Sequence, residues 1–495
     1  MSEPIVLREL RTRVDSEYVG FSPNGSSIKP VHIAGGALRC IYGAYNTTMN
    51  IKHIALASDA KGEVPKGNDV DSIRTELIDN DAIDESVTTA SIDSMRNVMQ
   101  RLLSADKGVY VVQGLKDGMI SYSAGSKHFL TRKAMYEDAG EFIGDVIREY
   151  CPELAQHIKY ILEKGDDPIT LLFEPVLEDD TMVTYEVARH DSCPAFFQPN
   201  EAMTLFIQSI KEGGNCLTAN LKQHTNSLTQ LRLFNLFCVF QIIRYMTMLE
   251  AFYCNDPCKP ILLDFTGSAP RLSSVARASE MSYTQMYKAI NRFYAWGYAE
   301  LLKDYSKEEL LTSSTPVYEK GKEPTDASKK ELNTLWEVAK EHASQSDCID
   351  DIRLILGETI YDMLAMEASS HPVNYIRAMG TSAGILYPPD KLHPNKRFSV
   401  SQDVLEMILR GCVSPNEVLS STEIRHRLWE RFGIIVGGST YEIEKIQASG
   451  MLLQVDEDAL EENFQFFSST LEAMGFAEVM ADGILQIRLG GVIND

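Results

Sequence analysis

The sequence is short of positive charge, of paired cysteines and of any long stretch free of polar groups. Lys and Arg total 47 against 70 Asp and Glu, a formal charge of −23. Nucleic-acid affinity comes mainly from Lys and Arg displacing counterions, so a protein that coats phosphate wholesale is excluded and only a local basic patch remains open. Nine scattered cysteines exclude a disulfide scaffold and suit free thiols in a reducing cytosol. Their one close pair, Cys254 and Cys258, lacks the second pair that a four-ligand zinc site needs. Structural thiols are therefore expected there, with no metal and no cofactor. The start, Met1–Ile5, has no basic segment leading into an apolar core, so no secretory signal is expected. The most apolar stretch, Leu233–Tyr253, carries Asn235, Gln241, Arg244 and Glu250. A spanning helix would drag these through hydrocarbon, so a buried helix of a cytoplasmic protein without membrane contact is expected.

Catalytic signatures are equally scarce. Gly380–Gly384 spells G-x-S-x-G, but that chemistry needs a strand before Ser382 and a helix after it. Here Tyr375–Met379 reads as a helix end, and Pro388–Pro389 blocks a following helix. No P-loop string and no H-E-x-x-H occur. Asp79–Asp84 begins like a calcium loop but has Asp where the turn glycine belongs. Asp59 and Lys61 faintly match the carboxylate-x-Lys element of metal-dependent nucleases, which needs a second carboxylate from another strand.

What is present is a globular composition, 44% hydrophobic and 24% charged. Residues 1–195 read as mixed α and β. Val109–Val112 and Met119–Ser123 flank a Lys116–Gly118 turn, and Ile169–Phe173 and Met182–Val187 form a second expected hairpin. Acids dominate Asp59–Asp93, a solvated loop or frayed helix. Helical spacing covers Glu141–Lys164 with a break at Cys151–Pro152, and Glu201–Tyr253 is apolar and helical. Ile261–Asp264 is a short strand. Residues 312–328, with Pro316, Gly321 and Pro324, form a linker, followed by helices near 329–344 and 349–368 and a proline-rich connection at 387–394.

Between Arg271 and Glu300 the expected order is helix, turn and helix. Ser273 or Ser274 caps the first helix, Glu280–Ser282 makes the turn, and Gly297 ends the second helix. Met286, Ile290 and Phe293 form its buried stripe. Thr284, Gln285, Lys288, Asn291 and Arg292 fall on the other face and, with Arg271 and Arg277, are the candidate nucleic-acid-binding residues. From Asp264 to Lys303 five bases face three acids, a local exception to the acidic whole. The C-terminal part repeats the pattern: a helix at Val404–Cys412, a capped helix at Ser421–Gly433 with a Ser420/Glu423 capping box, and a helix at Leu460–Gly475. That last helix buries Leu460, Phe464, Phe467 and Leu471, and strands on either side of Asp482–Gly483 follow it. Sixteen acids against six bases after Gln402 argue for docking a protein rather than DNA. Arg425, Arg427 and Arg431 form its one basic stripe, expected to be a solvated face.

These two segments, about 271–300 and 403–489, resemble winged-helix and helix-turn-helix proteins. In overall style the chain is loosely similar to accessory proteins of bacterial anti-phage defence or genome maintenance. The expected fold class is α+β, with an N-terminal mixed region carrying hairpins (1–195), a helical domain (196–311), a linker and helical region (312–397) and a C-terminal winged-helix-like module (398–495). The expected function is a non-enzymatic adaptor subunit, with protein partners on the acidic module and DNA contact through the central segment. Its rivals are a metal-dependent nuclease using Asp59 and Lys61, and a scaffold that touches no nucleic acid.

Overall fold

The computed structural model describes residues 5–23, 28–46, 70–94 (except 80 and 82), 125–130, 138–174, 182–319 (except 187 and 188), 326–366, 372–480 (except 391, 392 and 394) and 485–489. The expected hairpin at Val109–Ser123, the Asp59–Lys61 string and the Asp482–Gly483 turn lie outside the described residues. Helix accounts for 66% and strand for 6%, so the class is α-rich with small sheets.

The first part contains helices α1 (Leu7–Val14), α2 (Pro30–Tyr42), α3 (Val70–Asp79), α4 (Asp138–Tyr150), α5 (Pro152–Lys164) and α6 (Pro168–Phe173), and strands β1 (Ala44–Asn46) and β2 (Met182–Thr184). As expected, α4 and α5 part at Cys151, because proline lacks the N–H that would continue α4 yet suits a first helical position. The second expected hairpin is corrected. Residues 168–173 are helical because Asp167 caps them, accepting from the Thr170 N–H at 3.1 Å, with Pro168 next in line. Strand β2 pairs antiparallel with β1 instead.

The middle comprises α7 (Glu201–Leu221), α8 (Ser227–Cys254), β3 (Ile261–Leu262), α9 (Ser274–Leu301), α10 (Asp326–Ala343), α11 (Ile349–Ala365) and α12 (Pro372–Ser382). Asn200 and Asn226 cap α7 and α8. By length and composition α8 could cross a membrane, but 94% of its apolar window is buried by the rest of the chain. Each fully buried Leu or Phe there contributes about 1.5–3 kcal/mol.

The last part runs β4 (Leu386–Tyr387), β5 (Arg397–Phe398), α13 (Gln402–Cys412), β6 (Leu419–Ser420), α14 (Ser421–Phe432), β7 (Ile434–Ile435), α15 (Thr440–Ala448), α16 (Glu457–Ala473), β8 (Ala477–Val479) and β9 (Leu485–Ile487). The Ser420/Glu423 capping box forms, and the four-residue apolar stripe of α16 is buried. Strand β9 pairs antiparallel with both β6 and β8, giving the order β6-β9-β8. Strand β7 pairs parallel with β3. One cluster of buried apolar side chains extends from Ile5 to Leu489, across the expected boundaries at 195, 311 and 397. It is continuous because α7 packs on α13 and α14, while α8 packs on α2, α9 and α13.

Two helix pairs approach so closely that only glycine fits. A Cβ on Gly140 of α4 would stand 2.3 Å from the Ile33 carbonyl oxygen of α2, and one on Gly144 would stand 2.9 Å from the Ala37 carbonyl. Likewise a Cβ on Gly357 of α11 would lie 2.4 Å from the Ala295 carbonyl of α9. Backbone cannot move aside as a side chain can, so Gly140→Ala and Gly357→Ala should each destabilise the fold by about 1–3 kcal/mol despite alanine's better helix propensity. Urea unfolding checks this; variants as stable as wild type would show that these helices separate without penalty.

Candidate nucleic-acid interface

Helix α9 is continuous from Ser274 to Leu301, which corrects the expected turn at Glu280–Ser282. Ser273 does cap it, accepting from the Ala276 N–H. No residue from Glu280 to Ser282 breaks a helix, and the Ser282 hydroxyl serves another partner: it donates to the Pro260 carbonyl at 2.8 Å. One turn earlier, buried Ser279 donates to the Leu262 carbonyl at 2.8 Å and accepts from the Phe398 N–H at 2.9 Å. Both serines therefore fasten α9 to β3 and β5. Gly297 does not end the helix; it admits Val14 of α1, which a Cβ there would meet at 3.0 Å.

The expected buried stripe holds, with Met286, Ile290 and Phe293 all at 2% exposure or less. Successive turns of the opposite face present Arg277, Thr284, Lys288 and Arg292 to solvent, with Gln285 and Asn291 half-buried beside them. Three of these side chains are already engaged, Thr284 by donating to the Glu280 carbonyl at 2.9 Å. Arg292 donates through both Nε and Nη2 to the Glu250 carboxylate, the latter bond at 2.9 Å. These bonds push its pKa up, while burial raises that of Glu250. Asn291 accepts from the Tyr361 hydroxyl at 2.6 Å. Arg271 is exposed just before the helix. Sequence reasoning missed its neighbours in the adjoining pocket, Lys396 and Arg397. Arg397 pairs with Asp264 at 3.0 Å, and Lys396 is buried, donating to the Pro388 and Asp390 carbonyls. Of the seven candidates, only Arg271, Arg277 and Lys288 are cations that hold no carboxylate.

The C-terminal arginines are not a solvated face, which corrects that reading. Arg425 is 6% exposed, binds Glu442 and Glu461 through Nη1 at 2.8 and 2.9 Å, and lies 3.5 Å over the Phe464 ring. Arg427 forks onto Glu417 with two 2.6 Å bonds that hold this carboxyl down at about 2. Arg431 donates to the carbonyls of Gly411 and Cys412. Their clustering within seven residues of the sequence carried no sign of these partners, which come from loops and helices elsewhere in the module.

Among the described residues no group of three or more His, Cys, Asp or Glu is placed to hold a metal ion. Cys254 is exposed and Cys258 half-buried, and their surroundings raise both thiols, Cys254 to about 12. Ser382 ends helix α12, so a helix precedes it rather than the strand of a nucleophile elbow. No protein-family model matches the chain, and no curated protein matches it either.

Were α9 to contact a duplex, removing Arg277 and Lys288 together should lower the salt slope of that binding by about two, since each phosphate contact releases roughly one counterion. Arg292→Ala should act on stability instead, by about 1–2 kcal/mol, because it strips the partner from buried Glu250. Anisotropy titrations at two salt concentrations, alongside thermal melts, separate the two effects. Absence of salt-dependent binding by wild type would reduce this helix face to solvated surface.

Proposed function

We propose that this chain is a non-enzymatic adaptor whose acidic C-terminal module docks a basic protein partner. The observation that carries the reading is the outward face of α16, where Asp458, Glu462 and Glu472 alternate with Gln465, Ser469 and an exposed Phe466. The arginines that could offset these acids are turned inward onto Glu417, Glu442 and Glu461. An aromatic anchor ringed by charge of one sign suits a partner of opposite charge, and it would repel phosphate.

A winged-helix character for the module is part of the proposal. Its support is the order α13, β6, α14, β7, α15, α16, β8, β9, in which β9 lies between β6 and β8 and the antiparallel pair β8–β9 follows the last helix directly. In such proteins the helix before the hairpin meets the major groove; here that helix is α16, and its charge favours protein over DNA. A second reading, DNA contact at α9, rests on Arg271, Arg277 and Lys288 alone.

Co-purification from native cells tests the docking. The C-terminal module shares the core of the rest, so point variants of the full chain are the right instrument rather than truncation. Phe466→Asp combined with Glu462→Lys should lower recovery of the partner at least about tenfold, the loss of one good anchor. The melting temperature should hardly move, because both side chains are exposed. The same partners at the same yield would sink the proposal.

A further inference from the structure

Six arginines among the described residues are more than nine-tenths buried. Arg11, Arg39, Arg397, Arg410 and Arg425 face the carboxylates of Asp15, Glu141, Asp264, Glu406 and Glu442 respectively. The sixth, Arg244 on α8, faces none among the described residues. Its Nη1 donates to the Arg431 carbonyl at 2.6 Å, which engages one donor of a five-donor group. The Nε and Nη2 edge lies against Gly433, where a Cβ would stand 3.6 and 3.7 Å from the two nitrogens. Burial draws the pKa of Arg244 down to about 10, so it stays charged at neutral pH. The one titratable group acting on it is the Cys258 thiol, which desolvation keeps neutral. A buried charge without a counter-charge weighs heavily against the fold.

Arg244 and Gly433 border a small cavity with about 20 Å³ of free space, room for about one water molecule. Met248, Ile261, Met286 and Phe432 give it apolar walls. Thr247 stands at its edge too, but its hydroxyl donates to the Arg244 carbonyl at 2.8 Å. Lys259 brings its own counter-charge, since its ammonium pairs with Asp256 at 2.8 Å and donates to the Ser449 carbonyl. The cavity is left with a surplus of one positive charge. Leu205, Cys258 and Trp429 line both this cavity and an open pocket outside it, so it lies just behind the surface.

We infer that a single chloride ion occupies this cavity, against the Nε and Nη2 edge of Arg244. Size and charge both select it. Phosphate, sulfate and any carboxylate with a hydrocarbon body exceed the space of one water, whereas chloride is only a little larger than water. One negative charge removes the surplus; a water leaves it in place, and a divalent anion reverses it. The guanidinium is weakly hydrated for a cation, and chloride sheds its own hydration more readily than fluoride does. Their pairing between apolar walls therefore sacrifices little solvation on either side. The ion ties α8 to the end of α14, because the same guanidinium holds the Arg431 carbonyl.

Full-length protein should be melted across a sodium chloride titration at constant ionic strength, balanced with sodium gluconate, whose anion is far too large for the cavity. Chloride should raise the melting temperature along a saturating curve, by about 2 °C once it is far above the midpoint. General salt effects grow without saturating and need no particular side chain. Arg244→Met should melt at the same temperature in either salt. Wild type alone supplies a second measurement that does not depend on the variant folding. Long-wavelength diffraction from crystals grown in sodium chloride should show anomalous scattering beside the Arg244 guanidinium, where a water would give none. Equal melting in chloride and gluconate, a rise that never saturates or that survives in Arg244→Met, or a cavity without anomalous signal would each overturn the inference.

Discussion

Three strand segments far apart in the chain lie side by side inside the protein, and two helices supply the hydrogen bonds that the segments cannot make to one another. Ile261–Leu262 runs parallel to Ile434–Ile435, and Leu263 bridges to Phe398. Two-residue strands leave most of their polar groups unpaired, and a buried unpaired group costs about 1–3 kcal/mol. Ser279 and Ser282 of α9 take up one side of this debt at Pro260, Leu262 and Phe398. Asn463 of α16 takes up the other. Its amide donates to the Leu263 and Val436 carbonyls at 2.9 and 2.8 Å, and its oxygen accepts from the Phe265 N–H. These side chains join α9 to α16, alongside the packing of α7 on α13 and α14 and of α8 on α13.

The same economy of partners shapes the surface. Glu442, 1% exposed, accepts from the backbone of Val436 and Gly437 and from Arg425, so a carboxylate and a guanidinium together organise the loop after β7. Because buried carboxylates and carbonyls draw the module's arginines inward, its exterior is more acidic than its composition. On α9 the pairing of Arg292 with Glu250 removes a cation from the one basic face. Buried Arg244 departs from this pattern, donating through Nη1 to the Arg431 carbonyl rather than to a carboxylate.

Much of the helical layout was legible in the residues. Periodic apolar spacing located α4, α5, α13, α14 and α16, with Pro152 and Ser420 marking ends, and read Glu201–Tyr253 as one helical stretch that the structure divides into α7 and α8. The capping box at Ser420 and the stripe of Leu460, Phe464, Phe467 and Leu471 formed as read. Misreadings fell where a residue has two uses. Ser282 can cap a helix or brace a strand, and the choice depends on Pro260 and Leu262, which pack against it only in the folded chain. Gly297 can end a helix or admit a neighbour, and Val14 decides. Ile169–Phe173 has strand-like composition, yet Asp167 and Pro168 start a helix. At the candidate interface the polar types were legible, but not their engagement, because Glu250 and Tyr361 reach Arg292 and Asn291 across 42 and 70 residues. Arg244 did leave a signal: a charge inside the most apolar stretch.

The bracing of β3 has a consequence for how the protein is made. Residue Leu263 depends on Asn463, 200 positions further along the chain, and Ser279 on Phe398, 119 positions further. During synthesis α8 and α9 therefore leave the ribosome long before the segments that cover and brace them. At roughly 5–20 residues per second, they wait about 10–40 s with apolar surface uncovered. Such long-range closure slows folding, and it makes the nascent central helices a natural client for a chaperone until the final helix arrives.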